Sequence, residues 1–185
     1  MADEAFIGGL PKNKHRQGRP APTRYGRPYD RNKNLPEKTA VVSLVEKGSR
    51  EIRSQVVNDV TGPTLARVLR ENVDLPNSVL HTDASKSYRP VGKDFKEHEY
   101  VDHGSYEYVR GEVSTNRLEN YFSQLKRSID GTHHHVSSVH LARYLAEFDF
   151  RYNTCGESDS ARMRRLVGKV AGKRLTYKPI IAGEA

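Results

Sequence analysis

Between residues 10 and 38 this chain cannot make a long helix or a central strand. Five prolines fall there (Pro11, Pro20, Pro22, Pro28 and Pro36), and each fixes φ and removes a backbone donor. The same stretch carries nine basic residues, Lys12, Lys14, Arg16, Arg19, Arg24, Arg27, Arg31, Lys33 and Lys38, against Asp30 and Glu37. Its excess of positive charge nearly equals the +8 of the whole protein. It reads as a basic, extended loop, disordered without a partner. The loop is an insertion in a domain spanning residues 1–153, with 154–185 as a basic C-terminal tail.

A pI near 9.6 is the expected footprint of a polyanion partner, DNA or RNA, and a solvated basic surface is the plainer alternative. A length of 185 residues with 35% hydrophobic side chains suits one domain with one core. Cys155 stands alone, so an intrachain disulfide and a thiol-based zinc site within this chain are both excluded. No apolar run reaches the roughly 18 residues of a membrane span, and the start lacks a basic flank followed by an apolar segment. These features predict a cytoplasmic protein.

Patterning predicts an α/β fold. DEAFIGG (3–9) alternates and ends in paired glycines, as a short strand does before a turn. Residues 39–48 read as a buried strand and 51–57 as its hairpin partner, joined through Gly48 and Ser49. Thr61 to Asn72 reads as a helix with Thr61 as its cap. Residues 78–83 read as a buried strand ending at Asp83, and 97–103 as another strand. From Asn116 to Ile129, the residues Leu118, Tyr121, Phe122, Leu125 and Ile129 fall on one helical face, and Gly131 stops the helix. A second helix spans Val139 to Tyr152. Three strands, a helix, a strand, a short helix, a strand and two helices predict a mixed sheet flanked by helices.

Two-metal chemistry on nucleic acids needs carboxylates that converge on one point and hold divalent cations about 3.5–4 Å apart. Strand ends and a nearby helix supply them rigidly. Asp3 on the first strand, Asp83 at the end of the fourth and Glu119 on the long helix form such a candidate set. Each also has an ordinary role open to it: a surface acid for Asp3, a helix cap for Asp83, a polar helix face for Glu119. Lys126 follows Glu119 by seven residues, nearly two turns, so both point the same way. Metal and DNA phosphate could then be held on one face; a chance pairing is the alternative, since the spacing is too long for a helical ion pair.

DEAFIGG, the basic stretch, KTAVVSLVE, LHTDASKSY, STNRLENYFSQLKRSIDGTHHHVSSVHLARYLAEFDFRYN and GKRLTYK occur here in a familiar order. From Asp3 to Lys178 the chain resembles a bacterial insertion-sequence transposase family, the DDE family with a zinc ribbon before a ribonuclease H-like domain. The resemblance implies a ribonuclease H-like fold. It implies that Asp3, Asp83 and Glu119 are the catalytic and metal-binding acids, with Lys126 the lysine that follows the third. It also implies two Mg2+ or Mn2+ ions, with DNA, as transposon ends and target, as the partner. Lys12, Lys14, Arg16, Arg19, Lys126 and Arg127 would contact phosphates, and a homo-oligomer would assemble on DNA at the bacterial nucleoid.

Some branches of the family carry asparagine in place of the third acid; with Glu119 this chain resembles the acidic branch, and nearby Asn116 is the residue to test beside it. His133, His134 and His135 match an element after the long helix, as a polar loop or, less simply, as metal ligands. Arg151, Tyr152 and Asn153 match the end of the last core helix and most simply pack it. The family's proteins continue before the first Asp into a cysteine-rich zinc ribbon. The resemblance therefore implies that this sequence is a remnant, a late-placed start or a trimmed chain. Cutting and joining DNA is the expected activity. A truncated remnant that only binds DNA, a ribonuclease H-like nuclease and a basic RNA-binding protein are the alternatives.

Overall fold

The computed structural model describes residues 1–8, 38–134 and 136–173. The fold is α/β, with antiparallel and parallel pairing. Strands β1 (Ala2–Ile7), β2 (Thr39–Val45) and β3 (Ile52–Val57) form an antiparallel sheet in the order β1-β2-β3. The β2–β3 pair is the hairpin expected from the alternating pattern. Helix α1 (Gly62–Asn72) leads to β4 (Val79–Asp83), and the short α2 (Arg89–Gly92) leads to β5 (Glu97–Val101), which pairs in parallel with β4. Strand β4 lies beside β1 without a hydrogen-bonded ladder between them. This places β1 between β2 and β4.

A small hairpin, β6 (Val109–Arg110) and β7 (Val113–Ser114), precedes α3 (Asn116–Ser128). Two residues per strand carry no readable alternation, which is why the sequence shows no sign of it. Helix α3 does not stop before Gly131. It widens into a π-turn over Ile129–His133. Helix α4 (Ser138–Asn153) follows, and α5 (Asp159–Val170) occupies part of what composition suggests is only a basic tail. Its cap is Ser158, whose hydroxyl accepts from the Ala161 amide at 3.4 Å. Thr61 sits at the start of α1 without a capping bond; its hydroxyl instead donates to Asp59 at 2.6 Å.

The central sheet is covered on both faces. Ala2, Val42 and Leu44 pack with Leu65, Val68 and Leu69 of α1 on one face. Ala5, Ile7, Val41 and Val45 pack with Leu118, Tyr121 and Phe122 of α3 and Leu141 and Leu145 of α4 on the other. Strand side chains alternate between faces, so Asp3 shares the α3 side with Ala5 and Ile7. Glu4 shares the α1 side with Ala2.

The free edge of β3 is closed by α4. Asn153 donates to and accepts from the backbone of Ile52, both at 2.8 Å. Asp149 accepts the Ser54 amide at 2.8 Å. These side chains replace the missing neighbour strand and remove an exposed pairing edge.

Candidate active site

Asp3 and Asp83 are half-buried and Glu119 is exposed. Each comes from a different element: the central strand β1, the C-terminal end of β4 and the first turn of α3. Burial raises the Asp3 carboxyl, the Glu4 amide opposes this through a hydrogen bond, and the charges of Glu4, Asp83 and Glu119 raise it further, to about 7. The three expected acids thus share one electrostatic neighbourhood. Glu4 is also raised by burial; its bond from the Tyr88 hydroxyl, 2.6 Å long, opposes this, and the charge of Asp83 adds to it.

Asp83 accepts the Ser85 amide at 3.0 Å, a turn-forming bond that aims its carboxylate off the end of β4. Its backbone carbonyl is held as well. The buried Thr82 hydroxyl donates to the Asp83 carbonyl at 2.8 Å and lies 2.9 Å from His98 Nε2. A hydroxyl has one proton to give, so His98 donates from Nε2. His98 is lowered by burial first and by His81 second.

Glu119 meets His103: Nδ1 of the ring lies 3.3 Å from its carboxylate. The other nitrogen, Nε2, lies 3.1 Å from the hydroxyl of buried Thr115. The four acids Asp3, Glu4, Asp83 and Glu119 carry no Lys or Arg ion pair among the described residues. An acid-rich site of oxygen donors suits hard divalent cations. Among the described residues, no three His, Cys, Asp or Glu side chains stand close enough to hold a metal ion as they are.

The chain matches the model of the ISXO2-like transposase domain over residues 1–153. It belongs to that family. It is also similar to an uncharacterized protein in transposable element ISH50 of Halobacterium salinarum, at 28% identity over 150 residues. That alignment covers 80% of this chain and 50% of the relative, so the chain spans about half the length of the curated relative it matches. The relative is archaeal, so the similarity is wider than the bacterial grouping expected from motifs. No described helix is long and apolar enough to cross a membrane.

Lys126 and Arg127 are exposed in the last turn of α3 in this ISXO2-like domain. Lys12, Lys14, Arg16 and Arg19 lie outside the described residues, as does His135. His133 packs edge-on against Tyr144, with ring centroids 4.8 Å apart, and His134 Nδ1 lies 3.3 Å from the Asp130 carbonyl. Asn116 is exposed at the first position of α3. Arg151 pairs with Glu147 at 3.7 Å and Tyr152 packs edge-on against Tyr121. Sequence reasoning missed Glu4, Tyr88, His98 and His103. Only Glu4 carried a signal, as an acid adjoining Asp3; the others reach the site through loops and strand pairing that have no periodicity.

Proposed function

We propose that this chain is the catalytic domain of a DDE transposase of ribonuclease H-like fold. Asp3, Asp83 and Glu119 would hold two Mg2+ or Mn2+ ions, and the domain would cut and join DNA. The observation behind this reading is the half-buried Asp3 carboxyl, raised to about 7 with Asp83 and Glu119 among the causes. Gathering acids from three elements around a half-buried carboxylate costs stability, and perturbed groups of this kind cluster at functional sites. The order of β1 between β2 and β4 supports the ribonuclease H-like comparison.

Bound divalent ions would supply Lewis-acid polarisation of the phosphodiester and a more acidic attacking water. The chain's own residues would position the rest. Water attacks phosphorus, its oxygen forms the new bond, and the 3′ oxygen leaves as a hydroxyl. That hydroxyl then attacks a target phosphodiester and displaces a 3′ oxygen there, so no covalent enzyme intermediate is required. Lys126 lies about 10 Å along α3 from Glu119, at 1.5 Å per residue, and with Arg127 it would neutralise phosphates flanking the acids. A multimer on paired DNA ends fits this chemistry.

Asp83→Asn tests the reading. Mg2+- or Mn2+-dependent cleavage and strand transfer should fall to background, and DNA affinity should stay within about twofold, because one charge among many contributes little to phosphate binding. An Asp83→Asn protein that still joins strands sinks the assignment. A second reading, DNA binding without cutting, draws support from the absence among the described residues of three acids already placed around one ion. It predicts that wild type and Asp83→Asn bind DNA equally and that neither joins strands.

A further inference from the structure

The loop between β5 and the β6–β7 hairpin holds a residue that the family resemblance leaves without a role. His103 stands in a tight turn. The Asp102 carboxylate accepts the Gly104 amide at 2.9 Å and the Ser105 hydroxyl at 2.8 Å. The imidazole lies against Tyr108, with ring centroids 5.2 Å apart. Both ring nitrogens face α3. Nδ1 is 3.3 Å from the Glu119 carboxylate and Nε2 is 3.1 Å from the Thr115 hydroxyl.

Thr115 and Glu119 are four residues apart, on one face of the helix start. The Thr115 carbonyl accepts the Glu119 amide at 3.1 Å. The Thr115 side chain makes no capping bond to the helix. It is buried, and its hydroxyl has His103 as partner. A carboxylate only accepts, so Nδ1 carries the proton that faces Glu119. In a neutral ring Nε2 then accepts from Thr115, and this bond fixes the tautomer. The ring is thereby braced at three points: the Asp102 turn, Tyr108 and Thr115. Glu119 is exposed, and a glutamate on a helix surface otherwise samples several rotamers.

We infer that His103 is a positioning residue that holds the Glu119 carboxylate in the orientation needed to bind a divalent ion, with Thr115 fixing the tautomer. This inference rests on the proposed metal-binding role of Asp3, Asp83 and Glu119. Groups that orient metal-binding carboxylates through a hydrogen bond typically contribute on the order of 10- to 100-fold to metal affinity.

The test is Mn2+ titration of the whole chain, with free Mn2+ read by electron paramagnetic resonance and melting temperature recorded in parallel. Wild type should bind Mn2+, and Asp83→Asn should lose that binding. His103→Ala should weaken it on the order of tenfold without a matching loss of melting temperature. His103→Asn, whose amide can donate from near the Nδ1 position, should recover most of the affinity. Thr115→Val should give an intermediate loss, and it keeps the idea testable if His103→Ala folds poorly. Wild-type Mn2+ affinity in His103→Ala or in Thr115→Val, beside a dead Asp83→Asn, overturns the positioning role and leaves the acid assignment intact. Equal absence of Mn2+ binding in wild type and Asp83→Asn overturns both.

Discussion

Asp3 shows at the scale of one residue how a site can oppose the fold that carries it. Its carboxyl is pushed up to about 7 from the usual 3.8, by burial first and then by the charges of Glu4, Asp83 and Glu119. The folded state therefore keeps a proton that the unfolded state releases. Stability from this group is full below about pH 4 and is lost as pH rises through about 7. Its size is on the order of 2 kcal/mol once solvent screening of a half-buried group is allowed for. Other groups tilt the profile the opposite way: His81 and His98 are lowered by burial, and the Met1 amine is lowered to about 6 by burial. The difference between two proteins isolates Asp3. Asp3→Asn should melt higher than wild type at pH 8, by several degrees for about 1–2 kcal/mol, and the gap should close toward pH 4. Saturating Mg2+ at pH 8 should raise the wild-type melting temperature and leave that of Asp3→Asn unchanged. Melting curves from pH 4 to pH 8 check this, and a destabilised Asp3→Asn at pH 8 would contradict the burial seen here.

Elements with a periodic or mostly apolar face were legible from sequence, whereas the two-residue strands β6 and β7 and several contacts between elements were not. Leu118, Tyr121, Phe122 and Leu125 are buried on α3 as their spacing requires. Val41, Val42, Leu44 and Val45 are buried on β2 as an apolar run broken only by Ser43 implies. Asp83 was readable as the last residue of β4 because polar residues interrupt the run there. The closing of β3 by Asn153 and Asp149 could not be read, because it depends on which strand becomes an edge. The same holds for the contact between α2 and β5. A Cβ built on Gly92 would stand 2.2 Å from His98 Nδ1, so α2 approaches β5 as closely as it does only with glycine there. That approach holds His98 on Thr82, and Thr82 holds the Asp83 carbonyl. Gly92→Ala should therefore destabilise by about 1–3 kcal/mol through overpacking. In the His98→Ala background much of that cost should vanish, because the clashing ring is gone. Urea denaturation of the two single variants and the double variant measures the coupling, and strict additivity would show that the clash is absorbed elsewhere.

For the whole molecule, charge and site divide the labour. The acids occupy β1, the end of β4 and the start of α3, while much of the positive excess lies in the segment between β1 and β2. Of the 31 Lys and Arg residues, nine fall between residues 10 and 38. Lys126 and Arg127 add two at the far end of α3. A domain arranged this way should bind DNA through many phosphate contacts that the proposed catalytic acids do not share. Each phosphate neutralised contributes about −0.9 to the slope of log K against log salt on duplex DNA. Replacing Lys12, Lys14, Arg16 and Arg19 together with Ala should then flatten the slope by up to about 3.6. Replacing Lys126 and Arg127 should flatten it by up to about 1.8, and Asp83→Asn should leave it unchanged. Fluorescence anisotropy on one duplex between 50 and about 200 mM salt, the range over which such slopes are plain, reads all four proteins. An unchanged slope in the quadruple variant would place the DNA path away from the basic segment and return the burden of phosphate binding to the folded body around α3.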